Sequence, residues 1–537
     1  MKTSYKKYLF SIFALFLVLA LAACSGSDDS ANDDGESSDA ESGEAQDGGT
    51  LNIGLVANPK TLDPVLYTGI YESQIMGSVL DTLVEYKSDF SDFQPGLAED
   101  WEVSDDLLEY TFTLREDAYF HPGEHQDGRQ VTAEDVKYSI ERSSEESVMD
   151  RITDVKEVEV VDEFTAKIIL DEPNATLMAM LTDTGNGIVP EEEVEGQGDS
   201  FSTNIIGSGP FKIVDWQDDQ QVSLERHDDY WGDTPHLDGV NFKIISDPNM
   251  MANSLRSGDI DLATDVKGQN REVIEQEDSL ELASIPALSI SYLDLNNVQG
   301  PTADVDVRRA IYMATDIEEI VSGANQYGGA VPSYLPVPTG SWGYDESLEE
   351  LVPEYNPEEA KELLAEAGYE DGFETEIVIS EARVPHATIF QNQMKENLNI
   401  DVEINVVEWG TYSDTVSKNE APMSMGSWNW YPDPYFFLNQ LYHSNQVGSL
   451  GNGKGFENEE VDKLLDQAKS ETADQDERTE LYHEAMEIIL EEVPRIELDV
   501  QENAAGIDNK VQGFEVSANP GTLTIVDSQG TNVWLDE

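Results

Sequence analysis

Residues 374–409 (ETEIVISEARVPHATIFQNQMKENLNIDVEINVVEW) read in turn as a strand, a helix and a strand. Apolar residues alternate in 374–380 and again in 402–409, where Val402, Ile404 and Val406 share one face; a two-residue period is that of a strand. Residues 386–397 between them read as a helix. Strand–helix–strand order points to an open α/β sheet. Such sheets bind ligands outside the carboxyl ends of their strands, in a crevice between units.

The neighbouring segments agree. In 356–368 (NPEEAKELLAEAG), Asn356 caps a helix, Pro357 takes its first turn, Glu359 completes the box and Gly368 stops it. Ala360, Leu363, Leu364 and Ala367 make its apolar stripe, and Val461, Leu464, Leu465 and Ala468 repeat the spacing. These stripes are core packing and say nothing about ligands. Residues 240–245 (VNFKII) read as another strand. Thr132 can cap a helix that begins at Ala133, with Asp135 completing the box and Val136 and Ile140 on its buried face. Gly207-Ser208-Gly209-Pro210 is no phosphate loop, because neither a Lys-Ser/Thr pair nor a helix pattern follows. Gly451, Gly453 and Gly455 around Lys454 lack that context too and read as a mobile loop.

At 537 residues the chain needs two or three cores. Thirty basic against 110 acidic residues leave a formal net charge of −80, which excludes electrostatic binding to nucleic acid or anionic lipid. The carboxylates are spread along the chain as a solvated surface, suited to a saline or alkaline exterior. Seven His without a local ligand pattern, and one Cys, exclude a Cys-based zinc site and speak against a bare metal ion. No nucleophile elbow, metalloprotease or nucleotide motif appears, so an enzyme is not expected and no cofactor is implied.

Residues 1–23 read as a signal peptide, with Lys2, Lys6 and Lys7 ahead of the apolar run Leu9–Ala23. Fifteen helical residues reach about 22 Å, short of the roughly 30 Å hydrocarbon core, so a permanent span is not expected. Leu21-Ala22-Ala23-Cys24 looks like a bacterial lipobox, and the only cysteine occupies the position that receives lipid. Two acyl chains there would anchor the protein stably. Residues 24–47 then form an acidic tether without a large apolar residue.

Several segments resemble the extracytoplasmic solute-binding proteins of the peptide/nickel class (family 5), which serve ATP-driven importers. They include 48–64 (GGTLNIGLVANPKTLDP), 94–115 (QPGLAEDWEVSDDLLEYTFTLR), 119–142 (YFHPGEHQDGRQVTAEDVKYSIER), 207–216 (GSGPFKIVDW), 307–316 (VRRAIYMATD) and 482–494 (YHEAMEIILEEVP), all in the family's order. The resemblance implies a type II-like periplasmic-binding-protein fold, two lobes around a cleft with an inserted third domain. Domain I would take 48–84, 205–290 and 508–537, domain II 85–204 and domain III 291–507. A hinge would close the cleft on a solute, and a permease would read the closed shape; a monomer is expected.

The resemblance also names candidate ligand-binding residues. Peptide-binding members carry Trp-x-x-Asp-Tyr-x-Asp-Pro along the cleft, the first Asp pairing with the peptide's α-ammonium. Here 427–434 reads SWNWYPDP, and Trp430 stands where that Asp would be. Trp428, Asn429, Trp430 and Tyr431 offer an aromatic-plus-amide surface, which suits sugar rings, apolar side chains or a cation. Alternation would set Trp428 and Trp430 on one face, Asn429 and Tyr431 on the other. Asp433 matches an Asp that is mainly structural in the family. Tyr67, Thr68, Gly69 and Ile70 should edge the cleft from domain I, and Trp409 matches a pocket tryptophan. Arg383 and His386 lie near a carboxylate-binding Arg of some relatives, with a surface ion pair the expected role for Arg383 in so acidic a chain. The ligand expectation is a short peptide first, an oligosaccharide second, and a nickel chelate or other small organic solute after these.

Overall fold

Strand Glu374–Ile379 pairs in parallel with Asp401–Val406, Glu374 opposite Asp401, and with Met423–Asn429, Ile377 opposite Met423. Helix Val384–Leu398 makes the first crossover. The second strand stops at Val406 rather than 409, because the Glu408 carboxylate accepts from the Gly410 and Thr411 amides and caps a new helix, Trp409–Ser417. These elements belong to a computed structural model that describes residues 45–528 and 530–536. The signal peptide, Cys24 and the tether up to residue 44 lie outside the described residues. Of the tether's last residues, Gln46 already donates to Asp536 and Asp47 meets His236.

The three parallel strands form one wing of a 12-stranded sheet. Its other wing holds Thr50–Leu55, parallel to Gly239–Ile244, followed by Gln221–Arg226 and Phe211–Gln217. Strand Arg495–Asp508 joins the wings. Its first half pairs with Ser289–Leu295 and Ala330–Pro332, its second with Leu280–Pro286 and Leu262–Ala263. The chain therefore crosses between two lobes twice, near 286–289 and near 501–502. A separate antiparallel sheet, in the order Ala98–Val103, Glu109–Leu114, Thr165–Leu170, Val155–Asp162, carries helix Ala133–Glu146 and forms the inserted part. Thr132 and Asp135 make the expected capping box, and Val136 and Ile140 are buried.

Each part has its own core. Leu51, Ile53, Phe211 and Phe242 lie in the first lobe's core, which also takes in Val189, Val194 and Phe201. Phe112, Val136, Ile140 and Ile168 lie in the insertion. The second lobe buries both faces of its sheet: Leu293, Leu295, Met423 and Met425 on one side, Ile290 and Tyr292 on the other. Each such side chain contributes roughly 1.5–3 kcal/mol by leaving water.

Segment 451–455 is packed rather than loose. Lys454 is 1% exposed and donates to the Leu441 carbonyl, with Asp294 at 4.0 Å. A Cβ on Gly453 would sit 2.4 Å from Val416 Cγ1, and one on Gly451 2.2 Å from the Gln440 carbonyl oxygen. The glycines let the backbone approach that closely, a tertiary fact that local sequence does not carry.

Candidate functional site

The parallel strands of the second lobe run toward one edge, the first two ending in register at Ile379 and Val406 and the third continuing to Asn429, and this edge carries most of the residues named from sequence. Arg383 and His386 follow the first strand, Trp409 the second, and Trp428 to Tyr431 close the third.

Arg383 is not in a surface ion pair. It is 8% exposed, and among the described residues its side chain bonds only to Ser291 Oγ (3.1 Å), with no carboxylate oxygen within 4.0 Å. Ser291 sits between Ser427 and Asp499 across the sheet. Asp499 is fully buried, and neither of its oxygens accepts a hydrogen bond; His386 Nε2 lies 3.4 Å from its Oδ2. The hydroxyl of buried Ser333 also lacks a partner. Leaving such a group unsatisfied costs about 1–3 kcal/mol.

Trp428 and Trp430 share a face, as alternation requires, with their rings 6.1 Å apart and 14° from parallel. That face turns onto the core formed with helices Tyr435–Tyr442, Glu459–Ser470 and Gln475–Glu492. Trp430 and Tyr431 also pack with Phe436 against Ala179 and Met180 of the insertion. Protein thus occupies the face that would have offered a sugar platform, and Asn429 alone of the four is exposed. Asp433 is buried, 2.7 Å from Arg478, and caps the Tyr435 amide. Trp409 is 62% exposed at the rim, stacked on Tyr412.

From the first lobe, Tyr67 is buried and donates to Asp183 Oδ1 (2.7 Å), with the Arg151 guanidinium 3.7 Å over its ring. Burial and the Asp183 charge push its phenol well up. Thr68 is exposed, and Gly69 and Ile70 open the helix Ile70–Met76. A Cβ on Gly69 would meet the Glu72 carboxylate at 2.4 Å, so a larger residue there would have to displace that side chain.

A hollow of about 480 Å³ lies among the three parts, with Ser73, Asp81, Glu85, Asp183, Tyr431 and Asn519 in its wall. Burial raises the Asp81 carboxyl, although the Ser208 hydroxyl and Trp231 indole N–H both donate to its Oδ2. Burial first, and the Asp81 charge after it, push Glu85 up to about 7 against hydrogen bonds from Gln94 and Ser528. Lys87, also in the wall, is paired with Asp92 at 3.0 Å. The wall thus carries buried carboxyl groups, of which Asp183 is already paired with Arg151 at 3.2 Å. A roomier groove of 740 Å³ around Pro59, Thr203 and Trp216 lies wholly on the first lobe and faces no second wall.

Residues 92–449 match the family described as bacterial extracellular solute-binding proteins, family 5, middle region. The chain belongs to this family. It is an extracytoplasmic solute-binding protein and not an enzyme. It is 31% identical over 481 residues to the probable D,D-dipeptide-binding periplasmic protein DdpA of Escherichia coli strain K12, covering 86% of this chain and 91% of that one. It is 30% identical over 464 residues to heme-binding protein A of Haemophilus influenzae, covering 81% and 84%. Among solved structures, HbpA2 of Haemophilus parasuis superposes with a TM-score of 0.83 at 27% identity, covering 91% of this chain and all of that one. Relatives at 31% and 30% identity are thus named for different ligands, and the choice rests on this binding protein's own cleft.

Two acids escaped sequence reading. Asp183 accepts from Tyr67, Gly185, Arg151 and Tyr431, and so draws all three parts of the binding protein to one carboxylate. Asp499 lies on the strand Arg495–Asp508 that joins the two lobes. Neither stands in a motif, and only the fold brings their partners near.

Proposed function

We propose that this protein captures a short peptide between its lobes by hinge closure and hands it to an ATP-driven permease. The observation that carries the reading is Arg383, a buried guanidinium without a carboxylate partner in a chain where acids outnumber bases 110 to 30. A peptide's terminal carboxylate supplies the missing charge; a neutral oligosaccharide does not. The acid-lined hollow supplies the opposite pole for an ammonium group, a role open because Trp430 stands in place of the family's Asp. His386, Asn429, Tyr431 and Trp409 flank the ligand in this reading, Thr68 to Ile70 edge it from the first lobe, and Tyr67 and Asp433 support the wall. The D,D-dipeptide protein among the relatives is in keeping with it.

Cys24 carries the lipid anchor on this reading, holding a monomer at the outer face of the cytoplasmic membrane. The parts are 48–84 with 205–290 and 508–537, then 85–204, then 291–507, with 189–204 packing toward the first lobe. Native mass spectrometry of the protein purified gently from its host tests the ligand. A retained mass matching short peptides is expected; hexose increments or a heme mass would overturn the peptide reading.

A further inference from the structure

The two lobes are joined by two strand crossings only, so covalent connection alone does not hold the cleft shut. The insertion belongs by chain to the first lobe, so its contacts with the second bridge the two sides of the cleft. Apart from the Asp183–Tyr431 hydrogen bond in the hollow's wall, one group of those contacts forms a patch of its own. The Lys469 ammonium lies 3.2 Å from Asp154 Oδ2, which also accepts from Asn174 Nδ2 (3.1 Å). One residue further on, the Ala175 amide donates to the Lys469 carbonyl at 2.7 Å. Beside them Met180 packs on Phe436. None of these residues lines the hollow.

We propose that the insertion is a clasp: it docks on helix Glu459–Ser470 when the cleft shuts, and Lys469 fixes the population of the closed form without touching the solute. Opposite charge and a backbone hydrogen bond converge on one residue, and the scarcity of cations in this chain makes that pairing selective. A closed form favoured by such remote contacts retains its ligand longer, because release must first break the clasp. Trp430 fits the same account, since its ring fills the apolar side of this docking face. The inference rests on the chain's being a solute-enclosing protein.

Amide hydrogen exchange on the full-length protein tests it, with the Ala175 amide as reporter. Lys469→Asp, which faces Asp154 with a like charge, is expected to speed exchange at Ala175 by about three- to fivefold. Exchange at Ile168, inside the insertion's sheet, should stay unchanged, and the swap Lys469→Asp with Asp154→Lys should restore protection. The milder Lys469→Gln should give a smaller shift in the same direction if the reversed charge disturbs folding. Unchanged exchange at Ala175 in both single variants would overturn the clasp, as would acceleration that the swap leaves in place. Absence of any retained solute would remove the capture reading while leaving this exchange result intact, so the two fail separately.

Discussion

Asp433 and Arg478 meet at 2.7 Å with both side chains almost wholly out of water. Tyr482 adds its hydroxyl to the same carboxylate, and Arg478 donates to that hydroxyl. The carboxylate also caps Tyr435, so it is spent inside the second lobe rather than offered to a ligand. Asp433→Ala would leave Arg478 buried and unpaired, and should cost about 3–5 kcal/mol. Thermal unfolding checks this. A variant with unchanged melting but lost ligand would return Asp433 to the cleft.

Glu497 gives the protein a pH-dependent component with a definite sign. Burial pushes its carboxyl up to about 7, against the pull of Arg495 and the Tyr442 hydroxyl. Between the ordinary glutamate range and that value the folded state holds a proton that the unfolded chain has released. The stabilisation is therefore complete below about pH 4.5 and is lost as pH rises through about 7. Glu497→Gln is neutral throughout and should flatten this slope, by no more than about 3 kcal/mol between pH 5 and 8. Denaturant unfolding at the two pH values decides it; identical slopes in parent and variant would refute the assignment.

The fold was legible where local rules and tertiary packing agree. The strand–helix–strand at 374–406, the Thr132 capping box and the 461–468 stripe all formed as period and capping chemistry require. For the candidate site, Arg383, Trp409 and Tyr431 were named through the family resemblance, and the fold sets them at or just past the ends of strands. Their partners were not named. Arg383 lacks an acid, Tyr431 has Asp183, and Lys454 is buried, because residues far apart in the chain set each environment. Composition cannot tell which of 110 carboxylates reaches a given cation.

Salt should stabilise the folded protein. A net charge of −80 repels itself across the surface, and that repulsion is screened at molar ionic strength, where the Debye length is about 3 Å. Exposed pairs such as Lys418–Asp414 weaken at the same time, but each contributes about 0–1 kcal/mol and only thirty cations are available to form them. Repulsion dominates, so the melting temperature should climb from dilute buffer to molar sodium chloride. Equal melting in both would show that the acidic surface carries no salt adaptation.

Arg383 should affect stability and binding in opposite directions. Its charge is buried with one hydrogen bond, to Ser291, and among the described residues no carboxylate oxygen lies within 4.0 Å. Removing such a charge relieves a desolvation cost, so Arg383→Met, which keeps the apolar stem's volume, should leave melting unchanged or raise it. A carboxylate-bearing ligand loses a charge-assisted hydrogen bond in the same variant, worth about 1.5–3 kcal/mol, or roughly 10- to 150-fold in affinity. Arg383→Lys should recover only part of that loss, because an ammonium cannot repeat the two-pronged geometry of a guanidinium. Calorimetric titration with a short peptide and with its C-terminal amide separates the contributions: the parent should prefer the free acid, and the Met variant should not. A parent protein indifferent to amidation would place the peptide's carboxylate elsewhere and leave Arg383 as a structural charge whose partner is Ser291 alone.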